Sequence, residues 1–184
     1  MQFKDKLSAR NKAETGIRYE WYALQRCAAT YYEDFEKEKI VWASVGETYY
    51  SYCEKETLLL DTNYFAVFPK NEINRYILGL LNSKIIIKWI NEIDSPIGEV
   101  AYRHYKYNFE QIPIPEILEP AQVPFITLVD KILEGKKAGQ DATALERQID
   151  ELVFKLYELT YEEVLVVCPD FWLSEEEYER IKIE

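Results

Sequence analysis

The sequence predicts a fold of the α/β class (mixed α+β), with a small mixed β-sheet core and flanking helices, followed by a C-terminal α-helical hairpin and short helices. Three observations favour this fold. Short runs rich in β-branched and aromatic residues occupy residues 39–68, apolar residues recur at helical spacing over residues 73–93, and two amphipathic stripes follow residue 116. Hydrophobic residues make up 48% of the 184 positions and charged residues 30%, a balance that supports a packed core.

The strand predictions rest on residue type. Residues 39–44, with the sequence KIVWAS, combine β-branched and aromatic side chains, and residues 57–60 and 63–68 have the same character. Before these strands, residues 17–27 show mixed periodicity, which we interpret as a short helix or turn.

Two helices are predicted next. Apolar residues at helical spacing over residues 73–81 indicate the first helix, with Asn71 as a candidate N-cap. Residues 85–93 suggest a second helix, and a buried strand is the alternative because three consecutive isoleucines are ambiguous. Residues 94–98, with the sequence DSPIG, are expected to form a loop.

The segment that follows alternates as a strand would. In residues 102–109, YRHYKYNF, one face is mostly aromatic and carries Arg103, while the other is mostly polar and is expected to point outward. The following Ile-Pro-Ile-Pro, residues 112–115, predicts an extended connector because proline has no N–H to donate. We place a domain boundary here, with one domain over residues 1–115 and a helical hairpin with an acidic helical tail over residues 116–184.

The C-terminal part is predicted to be helical. Pro124 is expected to begin the first hairpin helix and Asp141 to cap the second. The predicted apolar stripes are Phe125, Leu128, Val129, Ile132 and Leu133 in the first helix and Leu145, Ile149, Leu152, Val153 and Leu156 in the second. Capping-box spacing in residues 160–163 and 174–177 predicts two further short helices.

The net charge of −11 is unevenly distributed. Residues 1–111 hold 15 Lys and Arg against 16 Asp and Glu, whereas residues 112–184 hold 7 against 17. The acidity therefore belongs to the C-terminal part, and the N-terminal part is free to carry a local positive face, because screening over about 8–10 Å separates the two.

Several function classes are disfavoured. No stretch approaches the roughly 20 apolar residues that a membrane span requires, and the N-terminus lacks the apolar core of a signal peptide. Three widely spaced cysteines without a CxxC pair are typical of reduced thiols in a cytoplasmic protein, and a single histidine makes a zinc site a poor expectation. No glycine spacing fits a phosphate-binding loop, and no motif surrounds a nucleophile, so we expect no catalysis by this chain alone.

The order of the segments carries a resemblance. WYALQ at 21–25, KIVW at 39–42, YILGLLNSK at 76–84, IPIP at 112–115 and a helical hairpin follow one another. Over about residues 18–157, this arrangement resembles the TaqI-like C-terminal specificity domain, the target recognition domain of type IIG restriction-modification enzymes and adenine-specific DNA methyltransferases, and it is similar to half of a type I restriction specificity subunit. The resemblance implies that residues 1–115 are the target recognition domain, and that YILGLLNSK and IPIP build its scaffold.

The resemblance also implies partners and cofactors. The partners are double-stranded DNA and a methyltransferase or nuclease domain or subunit, with no membrane, in a bacterial defence system. The catalytic Asn-Pro-Pro-Tyr and cofactor glycine motifs of the complete enzymes are not found in this sequence. We therefore expect no cofactor in this chain, and we expect S-adenosylmethionine, with Mg²⁺ as a further candidate, to belong to the missing catalytic part.

DNA recognition requires cations for phosphates and forked or planar side chains for base edges. Two segments and two isolated arginines supply these residue types. The candidate DNA-binding residues are Arg103, His104, Tyr105, Lys106 and Asn108 in the first segment, Thr48, Tyr49, Tyr50, Tyr52 and Lys55 in the second, and Arg18 and Arg26.

Two alternatives remain open at this point. In one, the chain is a protein-interaction module, whose acidic hairpin docks onto a partner subunit of a larger complex. In the other, which the sequence favours less, Pro169-Asp170 and the acidic run 175–179 belong to a small metal-dependent nuclease. A helix start capped by Ser174 explains that acidic run better.

Overall fold

The computed structural model describes residues 4–5, 32–54, 63–68 and 71–183. The chain divides into two compact units, Met1–Phe35 and Glu36–Glu184. Residues 4–5 are helical, and a 3-10 helix covers Tyr32–Glu36. The elements predicted at residues 17–27 and 57–60 lie outside the described residues. All numbered elements below belong to the second unit.

The described strands form two three-stranded antiparallel sheets. The first sheet has the order β3-β1-β4, and its strands are β1 (Lys39–Ala43), β3 (Ser51–Cys53) and β4 (Asn63–Ala66). The second has the order β2-β6-β5, and its strands are β2 (Val45–Gly46), β5 (Ser95–Ile97) and β6 (Ala101–Arg103). Strands β1 and β4 confirm the predictions at residues 39–44 and 63–68. Ile40 and Trp42 of β1 are buried, as expected for alternate residues facing a core.

Both central helices are confirmed, as α1 (Asn71–Leu81) and α2 (Lys84–Ile93). The three isoleucines at 85–87 are therefore helical, and the strand alternative for this segment is wrong. Ile86 and Ile90 of α2 are buried in the main core, together with Leu80 and Leu81 of α1. Apolar residues four positions apart lie on one side of a helix, so this spacing gives α2 its buried face.

The predicted helical hairpin is also confirmed. Its helices are α4 (Glu119–Lys137) and α5 (Thr143–Leu156). Phe125 and Val129 of α4 and Ile149 and Val153 of α5 are buried in the same core as the residues of α1. The hairpin stripes therefore pack against α1, and the rings of Tyr76 and Phe125 meet edge to face with their centroids 5.4 Å apart. The predicted domain boundary at residue 115 stays a prediction.

Two helix starts differ from the predictions. Helix α4 begins five residues before Pro124, with Leu118 at its N-cap and Pro120 in its first turn. Pro124 therefore lies inside the helix, where it removes one N–H from the second turn. Asp141 does accept a hydrogen bond from the backbone N–H of Thr143 at 3.0 Å, but the N-cap position belongs to Ala142.

The alternation predicted over residues 102–109 is wrong beyond Arg103. Strand β6 ends at Arg103, and a short helix, α3 (Lys106–Phe109), follows it. The loop expected at residues 94–98 contains the edge strand β5, where Pro96 is tolerated because an edge strand leaves some N–H positions unpaired. Gly98 begins the turn to β6 with a φ of +69°, a conformation that favours glycine.

The C-terminal helices α6 (Tyr161–Val167) and α7 (Glu175–Glu179) begin with the two predicted capping boxes. In each box, the hydroxyl of Thr160 or Ser174 accepts from a backbone N–H three residues later, and a glutamate carboxylate accepts from the cap's N–H in return. Both helices pack on a second, smaller core around Phe154. The mixed α+β class is thus confirmed, with the strands divided between two small sheets.

Candidate nucleic-acid interface

The second sheet presents an exposed face that carries Arg103. In the register of this sheet, Arg103 lies opposite Val45 on one side and Ser95 on the other, and Ile97 lies opposite Ala101. Directly paired residues and residues two apart share one face of a sheet, so these five side chains belong together. We call this set the Arg103 face.

The Arg103 face carries a positive charge without a matching negative one. Arg103 is exposed and forms no ion pair with any other described residue. Strands β2, β5 and β6 contain no Asp or Glu. Of the carboxylates next to them along the chain, Asp94 is buried against His104, and Glu47 and Glu99 lie outside the strands. Among the described residues, none neutralises Arg103, and its charge is therefore free to bind an anionic partner as far as they are concerned.

Lys106 extends this positive region into the first turn of α3. Its side chain is 73% exposed and its Nζ lies 3.3 Å from a carboxylate oxygen of Glu110, one helical turn later. An exposed pair of this kind contributes little energy and exchanges readily with another anion. Tyr105 and Tyr107 stack with ring centroids 5.1 Å apart, and Tyr107 is exposed.

Two residues of the first segment that were predicted to contact DNA are buried instead. His104 and Asn108 lie under the surface, around the carboxylate of Asp94. His104 Nδ1 lies 2.7 Å from Asp94 Oδ2, and Asn108 Nδ2 donates to Asp94 Oδ1 at 2.6 Å and to the carbonyl of Ile93 at 3.0 Å. The backbone N–H of Tyr105 also donates to Asp94 at 3.4 Å. The expectation that this polar set points outward is therefore wrong for these two side chains.

Asp94, His104, Asn108 and the backbone N–H of Tyr105 form a group that we call the Asp94 cluster. This cluster explains why the chain turns after Arg103. Three donors from residues 104–108 converge on one carboxylate at the C-terminal end of α2, and this draws the chain out of the strand. On the strand side, the N–H of His104 donates to the carbonyl of Ser44 at 3.0 Å. His104 thus joins α2 to the second sheet, and it fixes the residue before it, Arg103. Sequence reasoning missed Asp94, and its position just after an amphipathic helix was the one available signal.

The second predicted segment, around residues 48–55, is also partly structural. Tyr50 is buried, and burial together with the charge of Asp94 raises the pKa of its hydroxyl above its usual value. Tyr52 donates a short hydrogen bond to Glu38, and the guanidinium of Arg75 lies over its ring, 5.1 Å from the centroid. Burial, followed by this hydrogen bond, raises the pKa of the Tyr52 hydroxyl as well.

Tyr49 and Thr48 lie nearer the surface than Tyr50. Tyr49 is exposed, and the Nζ of Lys136 lies 5.5 Å from its ring centroid. The hydroxyl of Thr48 makes a short hydrogen bond to the side chain of Asn91. Of the four described candidates in the second segment, Thr48, Tyr49, Tyr50 and Tyr52, Tyr49 is therefore the one most exposed to a ligand.

The tyrosines of this segment line a cavity of about 890 Å³ between α2 and the hairpin. Its charged lining residues are of both signs: Lys84, Lys88, Lys136, Arg147, Glu146, Asp150 and Asp170. Lys136 pairs with Glu146 at 2.7 Å, and the guanidinium of Arg147 lies 5.0 Å from the ring centroid of Trp172. The cavity is therefore less strongly positive than its lysines alone would make it.

A comparison with protein families places this geometry in a known context. The family model of the TaqI-like C-terminal specificity domain matches residues 3–114, which is more than half of the chain. The chain belongs to this family. The match contains both sheets, α1, α2, the Asp94 cluster and the Arg103 face, and it ends inside the Ile-Pro-Ile-Pro connector.

In this specificity domain, the YILGLLNSK segment builds the scaffold. A Cβ on Gly79 would lie 3.1 Å from Val129 Cγ2 and 3.5 Å from Ile149 Cδ1, so glycine allows α4 and α5 to approach α1 closely. At the end of α1, Asn82 Oδ1 accepts from the N–H of Tyr50 at 3.0 Å, and its Nδ2 donates to the carbonyl of Tyr50 at 2.9 Å. The side chain of Asn82 thus forms the two backbone hydrogen bonds with Tyr50 that a neighbouring β-strand would otherwise form.

The proline connector of the specificity domain is held by two tyrosines. The hydroxyl of Tyr76 in α1 donates to the carbonyl of Pro115 at 2.9 Å, and that of Tyr157, just after α5, donates to Pro113 at 2.6 Å. The prolines leave their carbonyls free while offering no N–H, so side-chain donors can fix the connector without a strand.

Other expectations concern residues or groups that the structure does not test. Arg18, Arg26 and Lys55 lie outside the described residues, and a DNA contact by any of the predicted residues stays a prediction. In the described part of the chain, no three His, Cys, Asp or Glu side chains are arranged to hold a metal ion. None of the helices that the structure describes is long and apolar enough to cross a membrane.

Proposed function

We propose that this chain is the sequence-specific DNA-recognition part of a restriction-modification enzyme and binds double-stranded DNA through the Arg103 face. The observation that carries the proposal is the exposed guanidinium of Arg103, which has no ion pair among the described residues and lies within the region that matches a specificity domain. An unpaired arginine on a sheet without carboxylates is suited to phosphate oxygens and to guanine edges.

The charge distribution supports this surface despite the net charge of −11. Residues 112–184 have a net charge of −10, with 7 Lys and Arg against 17 Asp and Glu. In the rest of the chain the two signs nearly balance, and local charges dominate the field over a Debye length of about 8–10 Å. Arg103 and Lys106 therefore act as a local positive region, with Tyr107 exposed beside them.

The chemistry of methyl transfer would belong to another part of the enzyme. We expect that part to be an adenine-specific methyltransferase of type IIG organisation in the bacterial cytoplasm, which binds S-adenosylmethionine, with Mg²⁺ as a further candidate. This chain's own residues would bind and orient the duplex. The Asp94 cluster supports that role, because His104 and Asn108 hold the end of β6 and the start of α3 in fixed positions.

A docking role is a second candidate, and one observation favours it. Leu118 is 81% exposed and Val123 is 55% exposed at the beginning of α4, outside the region that matches the family. Apolar residues this exposed are suited to a protein partner. The two roles are compatible, since the Arg103 face and the beginning of α4 use different residues.

Salt-dependent DNA binding tests the proposal. The double variant Arg103→Ala/Lys106→Ala should weaken duplex binding and reduce the slope of log K against log salt by roughly one to two units, because each phosphate contact contributes about 0.9. The matched control is Lys131→Ala/Arg180→Ala, which removes two exposed cations from the C-terminal part and changes the net charge equally. Equal salt slopes for the wild type and the first variant would refute the assignment, and a chain that shifts no random duplex at low salt would favour pure docking.

A further inference from the structure

The Arg103 face combines its cation with exposed apolar side chains. Val45 lies directly opposite Arg103, and Ile97 lies diagonally from it on the other neighbouring strand. Val45 is 47% exposed and Ile97 is 39% exposed, and neither belongs to the two described core clusters. Two branched apolar residues lie beside an arginine that has no ion pair in the described part of the chain. Phosphate binding alone does not account for them, because an arginine that only neutralises phosphates gains nothing from apolar neighbours.

We infer that the Arg103 face reads the major groove, where Arg103 recognises guanine and Val45 and Ile97 contact the C5-methyl group of a neighbouring thymine. This inference rests on the proposed DNA-binding function and specifies its substrate. In the major groove, guanine offers O6 and N7 to the fork of an arginine, and thymine offers a methyl group that apolar side chains contact. Phosphates offer no such apolar group.

The dimensions of the sheet fit this assignment. Strands β5 and β6 form a ribbon around the turn at residues 98–100, and β2 lies beside β6. The outer strands of this three-stranded sheet lie about 10 Å apart, at about 4.8 Å between neighbouring strands. The row of Val45, Arg103 and Ser95 is therefore no wider than the major groove, which is about 12 Å wide. Directly paired side chains lie about 5 Å apart across strands, and diagonal ones about 7–8 Å apart. Successive base pairs are spaced about 3.4 Å apart. Val45 and Ile97 would therefore reach base pairs one or two steps from the guanine.

The rest of the structure holds this face in place. The edge strand β5 follows directly after Asp94, and β6 ends directly before His104, so the Asp94–His104 contact joins the two ends of the ribbon at 2.7 Å. A ribbon fixed at its base keeps Arg103, Ser95 and Val45 in one row. Fixed geometry of this kind is what direct readout requires, since a forked hydrogen-bond pair tolerates little displacement.

The test uses base analogues that remove single atoms from the groove. The full chain is first used to select bound duplexes from a randomised pool, and the most enriched duplex is then rebuilt with uracil in place of thymine or with 7-deazaguanine in place of guanine. Uracil lacks only the C5-methyl group, and 7-deazaguanine lacks only the N7 acceptor. Dissociation constants of all three duplexes are measured for the wild type and for the variants.

Three variants separate the roles. For the wild type we expect about a fourfold loss of affinity for each contacted methyl group on the uracil duplex, and about tenfold or more on the 7-deazaguanine duplex. Val45→Ala/Ile97→Ala should bind the thymine and uracil duplexes within a factor of two of each other. Arg103→Lys should keep the salt slope but lose its discrimination against 7-deazaguanine, because lysine has the charge without the fork. The control Leu118→Ala/Val166→Ala alters two exposed apolar residues elsewhere and should respond to uracil as the wild type does.

The outcomes distinguish this inference from the proposed function. If specific duplexes are enriched but uracil substitution leaves wild-type affinity unchanged, or Val45→Ala/Ile97→Ala keeps the full methyl dependence, the base-reading inference is overturned and DNA recognition stands. If no duplex is enriched over the starting pool, the proposed function itself fails. Thermal unfolding of each variant verifies that these exposed substitutions leave the fold intact.

Discussion

Asp150 offers a prediction whose sign and size follow from its surroundings. The carboxylate belongs to α5, is buried against the beginning of α2, and accepts a hydrogen bond from the backbone N–H of Lys84 at 2.8 Å. The beginning of a helix favours an anion, but burial removes water from the charge. Burial outweighs the hydrogen bond, since the pKa of Asp150 is raised from 3.8 to about 6.

The perturbation is Asp150→Asn, which keeps an oxygen for the N–H of Lys84 and removes the charge. A shift of about two pKa units at about 1.4 kcal/mol each sets an upper limit of about 3 kcal/mol on the cost of the ionised form in the folded state. This limit already includes the hydrogen bond from Lys84, and it is reached only if the buried amide of asparagine packs as well as the neutral acid. At pH 8 we therefore expect a net stabilisation of about 1–2 kcal/mol, equivalent to about 2–8 °C in Tm for a chain of this size.

The pH dependence identifies the cause. A carboxyl group with a raised folded pKa holds its proton more tightly in the folded state, so its contribution to stability falls as the pH rises from about 4 to about 6 and is constant above that. The advantage of Asp150→Asn should be complete above about pH 7 and should disappear near pH 4. Thermal unfolding followed by circular dichroism across this range measures it.

Asp141→Asn is the matched control for this experiment. Asp141 is exposed, and hydrogen bonds from the hydroxyl and the backbone N–H of Thr143 lower its pKa, so this replacement should reduce stability at pH 8. An Asp150→Asn protein that is no more stable than the wild type at pH 8, or whose advantage is the same at pH 4 and pH 8, would show that charge burial does not govern this site.

Two further predictions concern the scaffold. Gly79→Leu should lower the free energy of unfolding by about 1–3 kcal/mol, because the leucine side chain would press on Val129 and Ile149. Gly79→Ala should cost less, since alanine regains about 1 kcal/mol of helix propensity. Equal midpoints of urea unfolding for the two variants would contradict this packing. Asn82→Ala should cost about 1–3 kcal/mol by leaving the N–H and carbonyl of Tyr50 without their partner, and unchanged amide-exchange protection at Tyr50 would count against the hydrogen bonds described.

How much of the fold could be predicted depended on whether its determinants were local. The capping boxes at Thr160 and Ser174 are complete within four residues of sequence, and both helices begin where the pattern places them. The spacing of apolar residues predicted the fold class, α1, α2 and the hairpin, and this spacing is also a short-range property of the sequence. The prediction from Pro124 was wrong, because Pro120 already occupies the first turn of α4 and the single N–H that Pro124 lacks does not interrupt the helix.

The site was harder to predict because its determinants are distant in sequence. Residues 102–109 alternate as a strand does, but Asp94 accepts hydrogen bonds from His104, Tyr105 and Asn108 and turns the chain into α3. The periodicity of a short stretch of sequence cannot indicate hydrogen bonds to a carboxylate that lies about ten residues earlier in the chain. Arg103 and Lys106 nonetheless both lie at the surface, as the proposed interface requires, because burial of either charge would be costly.

The tyrosine anchors of the Ile-Pro-Ile-Pro connector have a practical consequence for exchanging specificity between relatives. A chain truncated at Pro115 would lose the Tyr157 anchor and uncover the surfaces of Tyr76 and Gly79 that α4 and α5 cover. Chimaeras joined at that point would therefore be expected to misfold or aggregate. A junction placed beyond Tyr157 would transfer the Arg103 face together with the two helices that cover α1.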